Sequence, residues 1–483
     1  MRKIYHIFAK KISLLKNKNF DFGLVGLGVM GRNFILNVAE NGYSCIGLSS
    51  NIESIKILRK EGKDFNVDGT QSAKEFLISL NRPRKIMLLV PAGEPVDSTI
   101  NRFLPYLDDG DMIIDGGNSH YDDTERRYKY LKDKKIKFIG AGVSGGSKGA
   151  RFGPSIMPGG DKDSYEIIKP IFESVSAKIN GEPCVTYLGN TSSGHYVKMI
   201  HNGIEYGIMQ LISESYHILK NGLKKENFDI YNTFKKWNKG MLNSYLVEIT
   251  RDIFNVKDKN SDNYLIDLIL DKAKQKGTGK WTSQSAMDFG ISIPTIDSSV
   301  SMRIISSFKD TRIRAEKIYY KKIVSSSSSI KTEDIENALK FSFIITFAQG
   351  LSQLKVVSEE KSYNLNYENI CKIWRGGCII RAKMLDDFMR AYNKNSSLEN
   401  LIFDKNISEI IKETDSSIRK VLIFCIENNI PSHALFSSLS YYDSLKSSIL
   451  PMNLIQAQRD YFGEHTYERI DKEGFFHTDW ENN

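Results

Sequence analysis

From Phe22 to about Gly189 the chain alternates short strand-like runs with stretches whose apolar positions recur at helical spacing. The runs are Phe22 to Gly26, Tyr43 to Leu48, Lys85 to Val90, Asp111 to Asp115, Ile136 to Ile139 and Cys184 to Leu188. Strands separated by helices in this way predict an α/β domain with a doubly wound, mostly parallel sheet. After about Ser192 the strand-like runs stop, and long helical periodicities run through Val197 to Leu219, Leu265 to Ala273, Thr332 to Val357 and Leu401 to Asn428. The second domain is expected to be all helix. Ser325 to Ser329 lacks apolar periodicity and reads as a solvated loop. From Leu450 onward Pro451, Gly463 and Gly474 interrupt any long helix, which predicts a C-terminal tail able to wrap another surface.

Composition narrows this picture. A chain of 483 residues, 41% hydrophobic and 26% charged, is too long for one core, so two or three domains are expected. The formal charge of +9 is spread along the chain rather than gathered in an arm, which argues against nucleic acid and suits anionic small molecules. Cys45, Cys184, Cys371, Cys378 and Cys425 form neither a C-x-x-C pair nor a zinc spacing. Reduced thiols in a cytoplasm, and no bound metal, are the simplest expectation. No apolar run approaches the ~20 residues that span a bilayer. Before Asp21 stand Arg2, Lys3, Lys10, Lys11, Lys16 and Lys18 with no acid. With a single Arg and little Ser this reads as a disordered basic extension, an organelle transit peptide being the other reading.

Gly26-Leu27-Gly28-Val29-Met30-Gly31 follows the first strand and opens a helix rich in Phe34, Ile35, Leu36, Val38 and Ala39. Glycines at these offsets permit the tight turn, the approach to a pyrophosphate and the close helix packing of a Rossmann-type dinucleotide site. The second strand should end on an acid for a ribose hydroxyl or on an Arg for a 2′-phosphate. It ends instead on Ser49-Ser50-Asn51, with Glu53 assigned to the next helix and Lys56 and Arg59 as the nearby cations.

Farther along, Lys198, His201, Asn202 and Glu205 stand at i, i+3, i+4 and i+7, so one helix face carries all four. Such a stripe is either a solvated polar face or a site. Gly203 and Gly207 are poor choices for a merely structural surface helix, while Val197, Ile200 and Ile204 can bury the opposite side.

These blocks, with Asp115-Gly-Gly-Asn118-Ser119, Gly142-Val-Ser144-Gly145-Gly146, Lys276-Gly-Thr278-Gly-Lys-Trp281 and Leu454-Ile-Gln-Ala-Gln-Arg459-Asp-Tyr-Phe-Gly-Glu-His465, resemble the decarboxylating 6-phosphogluconate dehydrogenases from Phe22 to the C-terminus. After the basic extension over residues 1–20, the resemblance implies a Rossmann-like domain over 21–192, an all-helical substrate and dimerisation domain over 193–447, and a tail over 448–483 that reaches a partner subunit. It implies NADP-linked oxidation of 6-phosphogluconate to ribulose 5-phosphate and carbon dioxide, in the oxidative pentose phosphate pathway, by a cytoplasmic homodimer. Lys198 is then the general base and Glu205 the general acid. Asn118, Ser144, Gly145, Gly146, His201 and Asn202 hold the sugar-acid end. Tyr206, Lys276, Thr278 and Arg303 hold the phosphate, with Arg459 and His465 entering from the partner's tail. Gly26 to Gly31, Ser49 to Asn51, Val90 and Asn118 line the cofactor. Without the resemblance, Lys276 to Gly279 reads as a plain turn and Arg303 as a partner of Asp297.

Departures from the family pattern gather at the cofactor end. Ser49-Ser50-Asn51 stands where an Asn-Arg-Thr or Asn-Arg-Ser run is usual, Pro91 where a Lys is usual, and Ser147-Lys148 where two acids are usual. Gly28 replaces a frequent Ala. With the 2′-phosphate Arg absent, NAD joins NADP as an admissible acceptor. A diverged sugar-phosphate-binding dimer and a non-decarboxylating 3-hydroxyacid dehydrogenase are the alternatives, against which Glu205 and the phosphate-binding tail both argue.

Overall fold

The computed structural model describes residues 19–275, 277–319 and 329–481. Most of the basic extension, Lys276 and the serine run from Ser325 to Ser328 lie outside the described residues. The first half of the chain runs β1 (Phe22–Val25), α1 (Val29–Glu40), β2 (Cys45–Leu48), α2 (Ile52–Glu61), β3 (Val67–Thr70), α3 (Ala73–Ile78), β4 (Lys85–Leu88), α4 (Glu94–Phe103), β5 (Met112–Asp115), α5 (Tyr121–Lys132), β6 (Lys137–Val143), α6 (Gly146–Phe152), β7 (Ile156–Gly160) and α7 (Lys162–Val175). A short hairpin, β8 (Lys178–Ile179) and β9 (Glu182–Pro183), follows.

These seven strands make one sheet in the order β3-β2-β1-β4-β5-β6-β7. All neighbours are parallel except β7, which is antiparallel to β6. Strand order reverses between β1 and β4, so the chain leaves these two strands in opposite directions. The crevice beyond their carboxyl ends is where such sheets take ligands. Gly26 begins the turn at one end of that crevice and Val90 follows β4 at the other.

The expected strand from Cys184 to Leu188 is not formed as a strand. That segment runs beside β7 through isolated bridges, Ile156 to Val185 and Gly159 to Gly189. Pro158 lies between them, accepting from Leu188 N at 3.1 Å but owning no N–H to return a bond, so a continuous ladder cannot form. β3 and β7 were not among the expected strands. Val67-Asp-Gly-Thr70 and Ile156-Met-Pro-Gly-Gly160 carry turn-type residues that mask their pairing.

The second half is helical: α8 (Ser193–His217), α9 (Asn227–Trp237), α10 (Tyr245–Ile253), α11 (Leu265–Leu268), α12 (Thr278–Asp288), α13 (Pro294–Ser307), α14 (Lys309–Tyr319), α15 (Thr332–Glu360), α16 (Tyr367–Trp374), α17 (Met384–Lys394), α18 (Lys405–Glu427) and α19 (His433–Leu445). The expected helix from Leu265 to Ala273 stops after one turn. Leu268, Ile269 and Leu270 remain more than half exposed, so the apolar spacing there meets no core. The run from Leu401 to Asn428 is likewise broken, because Asp404 accepts from Asn406 N and Ile407 N and starts α18 afresh. The tail holds α20 (Met452–Gly463) and a hairpin of β10 (Tyr467–Glu468) with β11 (Phe475–Phe476). No helix among the described residues is long and apolar enough to cross a membrane.

Helix α8 joins the two halves. One flank lies on β6 and β7, and the others on α12, α13 and α15. Its glycines make this possible: a methyl on Gly203 would stand 2.5 Å from Thr282, and one on Gly207 2.6 Å from Thr346. The apolar stripe of Val197, Ile200 and Ile204 is fully buried, and the polar stripe faces the seam between the halves.

Candidate active site

Lys198 sits one turn into α8, with its Cβ against the backbone of Gly142 in β6. Its Nζ donates to Asn202 Oδ1 at 2.7 Å and stands 3.3 Å from His201 Nδ1 and 3.5 Å from Ser144 Oγ. His201 Nε2 in turn lies 3.2 Å from Ser144 Oγ. Four of the expected residues therefore form one buried cluster. Burial pushes the Lys198 ammonium below the ordinary lysine value, against the pull of the Glu205 carboxylate. Desolvation and the neighbouring Lys198 hold His201 well below the usual histidine value, so its ring is neutral. Glu205, one turn on, lies 3.9 Å from His201 Nδ1, and burial raises its carboxyl above the ordinary range despite Lys198 and Arg303. A base made easier to deprotonate and an acid made easier to protonate thus share one helix face.

Asn118, Thr278 and Asn202 line a narrow cleft with Lys198, together with Ser119, His195, Met199 and Trp281. The loop bearing Asn118 is braced from below. Asp115, fully buried, accepts from Ser119 Oγ at 2.6 Å and Gly117 N at 3.1 Å, and lies 3.3 Å from the Arg127 guanidinium. Arg127 also grips both oxygens of Asp97 at 2.9 Å. The fork geometry of Arg suits this double duty. His195 is buried beside the same loop, its Nδ1 2.6 Å from Thr124 Oγ1. Arg127, Asp97 and His195 were not singled out from sequence. On α4 and α5 the charged pair looks like any solvated helix face, and only the tertiary contact distinguishes it.

At the far end of the face, the Arg303 guanidinium stacks 3.4 Å above the ring of Tyr206. This takes the place of the alternative reading, a local pairing with Asp297, which turns inward beside Ser283. Gly279 lets α12 press on the same ring, a methyl there standing 2.4 Å from it, and so brings Thr278 alongside. Lys276 lies outside the described residues. Among the described residues, Arg459 and His465 make no contact with the cluster. Arg459 bonds Gln456, and His465 packs on Phe462, both inside the tail. The tail is held by Asp460, fully buried, which accepts from Thr466 N, His477 Nδ1, Thr478 N and Trp480 Nε1 at 2.8 to 3.1 Å.

At the crevice, Gly26 has φ +99°, and a methyl on it would meet Leu89 O at 2.5 Å. A methyl on Gly31 would meet Gly26 O at 1.9 Å. Gly28 is different, with open space around its position, which accounts for the freedom to carry Ala there. Leu27 is buried, Met30 partly so and Val29 exposed. No side chain caps α1, which leaves its first N–H groups for an anion. Ser50 and Asn51 are exposed past β2, and Asn51 caps α2 through Glu53 N. The two nearby cations are engaged: Lys56 with Glu53 at 2.6 Å, and Arg59 with Asp68 and Gly69 O at 2.7 Å.

Residues 21–189 match the NAD binding domain of 6-phosphogluconate dehydrogenase, and residues 194–480 match its C-terminal domain. The chain is 50% identical over 463 residues to the NADP(+)-dependent, decarboxylating 6-phosphogluconate dehydrogenase of Bacillus subtilis, covering 95% of this chain and 99% of that protein. It is 48% identical to the decarboxylating enzyme of Escherichia coli K12 over the same share of each. The solved 6-phosphogluconate dehydrogenase of Plasmodium falciparum superposes with a TM-score of 0.93 at 46% identity, over 95% of this chain and all of that one. Two domain matches that meet at the start of α8, and relatives aligned along nearly their whole length, establish that the chain belongs to the 6-phosphogluconate dehydrogenase family.

Proposed function

We propose that the chain oxidatively decarboxylates 6-phospho-D-gluconate to D-ribulose 5-phosphate and carbon dioxide, with NADP as hydride acceptor. The observation that carries this reading is the buried cluster of Lys198 with Ser144, His201 and Asn202, one turn before Glu205. The Bacillus relative is described as NADP-dependent and decarboxylating, and the Plasmodium relative has been solved with NADP+ and with 6-phosphogluconate.

The dinucleotide fits the turn at Gly26 to Gly31, where glycine lets the backbone close tightly on itself at Gly26 and Gly31, Gly28 faces open space and α1 offers uncapped N–H groups. Leu27, Gly28, Val29, Met30, Ser49, Ser50, Asn51, Val90 and Asn118 complete the residues that would hold it. When bound, it supplies the acceptor for the hydride that leaves C3.

Lys198, whose deprotonated form burial favours, takes the proton of the substrate's 3-hydroxyl at Nζ. The ammonium so formed donates to the oxygen on C3 while the carboxylate departs, stabilising the negative charge that develops there. Glu205 then delivers its proton to C1 of the enediol. Asn118, Ser144, Gly145, Gly146, His201 and Asn202 orient the sugar acid. Tyr206, Lys276, Thr278 and Arg303 take the phosphate, whose charge suits a guanidinium.

Arg459 and His465 are assigned to the phosphate of a partner subunit in a homodimer. What supports this is the tail, where Phe462 is 72% and Leu454 62% exposed, a face that a second copy would cover. Mixing a Lys198→Met parent with a tail-truncated parent is expected to restore activity through hybrid dimers. A fully active monomer in sedimentation overturns the assignment.

The reading is tested by steady-state turnover of 6-phosphogluconate with NADP and with NAD, following cofactor reduction and carbon dioxide together. Equal amounts of both products are expected. Reduction without carbon dioxide would favour the non-decarboxylating alternative, and binding without reduction the diverged sugar-phosphate-binding dimer.

A further inference from the structure

The loop from Trp374 to Cys378, between α16 and α17, touches the cluster at two points although it contributes no residue to the sites assigned above. The Trp374 ring meets His201 edge to face, at 5.8 Å and 75°. Gly377, at φ +66°, offers its carbonyl to Ser155 N at 2.8 Å, and Ser155 O accepts from Ser144 N at 3.0 Å. The same carbonyl presses on the Ser144-Gly145-Gly146 turn so closely that a methyl on Gly145 would stand 2.5 Å from it. Ser155 Oγ also donates to Ile373 O at 2.8 Å. The loop, Ser155 and the turn therefore form one hydrogen-bonded unit built across the seam between the two halves.

What fixes the loop is Arg375. Its side chain is 8% exposed, and its guanidinium pairs with Glu182 at 2.7 Å and Asp386 at 3.3 Å. Its Nε donates to Lys372 O at 3.2 Å. Glu182 belongs to β9, beside the sheet, and Asp386 to α17 of the helical half, so one planar cation ties the loop to both. Lys372 adds a second contact to Glu182 at 2.8 Å. A guanidinium can serve two carboxylates and a carbonyl at once from fixed directions, whereas an ammonium on a flexible stem holds one direction poorly.

We infer that Arg375 is a positioning residue for the sugar acid: by tying the Trp374–Cys378 loop to both halves, it sets the Gly377 carbonyl against the Ser144–Gly146 turn and fixes how that turn meets the substrate. The inference rests on the proposed function, because it takes that turn as the sugar-acid cradle. Arg375 is not among the residues assigned to substrate or cofactor, its partners being Glu182, Asp386 and Lys372 O, so its removal acts on substrate affinity rather than on the proton-transfer groups themselves.

The test is the split between KM and kcat in Arg375→Ala, Arg375→Lys and Glu182→Gln, with wild-type turnover of 6-phosphogluconate measured first. Arg375→Ala is expected to raise the KM for 6-phosphogluconate about tenfold, with kcat within about threefold and the cofactor KM within about twofold. Arg375→Lys is expected to recover part of the loss, and Glu182→Gln to raise the same KM about two- to threefold. Glu182 has a half-exposed side chain, so its variant decides the matter if Arg375→Ala does not fold. An unmoved substrate KM in folded Arg375→Ala, or in Glu182→Gln where that is the only folded variant, overturns the inference. So does an equal rise in the cofactor KM, which would mark a merely structural role. Absence of wild-type turnover would instead remove the functional reading, so the two failures are distinguishable.

Discussion

The seam at the start of α8 and the loop after β2 treat their polar residues in opposite ways. At the seam, Lys198, His201 and Asn202 are buried and bonded to one another, and each position is fixed by packing from both halves. After β2, Ser50 and Asn51 face water, and their contacts are local, such as Gln71 on Ser50 O at 2.7 Å. Burial is what shifts the two proton-transfer groups, so the chemistry cannot survive a loose placement. In the proposed reading, cofactor discrimination rests on one exposed charge–charge contact, whose loss would not disturb the fold. The departures from the family pattern fall at the exposed end, where the structure tolerates them.

The largest effect that would sharpen this contrast is at the seam. Lys198→Met should lower the rate of cofactor reduction by about 10³- to 10⁴-fold, the upper range for removing a positioned general base. Single-turnover reduction measures it, and a rate within tenfold of wild type breaks the assignment. Glu205→Gln should slow the later protonation by about 10²-fold while the first reduction persists, seen as a burst of cofactor reduction and carbon dioxide release that outruns formation of ribulose 5-phosphate. It also has a signed pH effect. Reduction requires neutral Lys198, so its rate rises as pH passes the Lys198 pKa. An ionised Glu205 raises that pKa, so where Glu205 has lost its proton the variant's rising limb lies at lower pH than that of the wild type. A limb that moves upward contradicts the arrangement.

At the exposed end the expected changes are smaller. A guanidinium on a phosphate contributes about 1.5 to 3 kcal/mol, so Ser50→Arg should raise discrimination for NADP over NAD about ten- to a hundredfold. The ratio of the two kcat/KM values reads this directly. If the unaltered chain already favours NADP strongly and Ser50→Arg adds nothing, another cation reads the phosphate. Lys56 and Arg59 would have to leave Glu53 and Asp68 to do so. Smallest of all, Gly28→Ala should change the cofactor KM by less than about twofold, since Ala is frequent at this position in the family and a methyl there meets no protein atom within 4 Å.

The sheet's central strands and the long helices were legible because their apolar runs are uninterrupted. β3 and β7 were hidden by Asp68, Gly69, Pro158 and Gly159, which pair in the sheet only because neighbours supply the partners. The one-turn α11 shows the reverse error, an apolar spacing with no core to receive it. The stripe on α8 was legible as a stripe, but sequence spacing alone left it open between a solvated face and a site. Burial on both flanks rules out the solvated face. Arg127 and Arg375 were invisible for a shared reason: each acts through partners more than ten residues away, Asp115 for one and Glu182 for the other.

The tail makes its own centre around Asp460, whose carboxylate gathers four donors from within twenty residues of chain. Ordering a flexible arm at the moment of association would oppose binding through lost chain entropy, roughly 1 to 2 kcal/mol for each backbone residue fixed. Here that loss falls on folding of the single chain. In the proposed homodimer, association would then join two preshaped bodies, and its strength would be set by the fit of their surfaces rather than by the length of the arm.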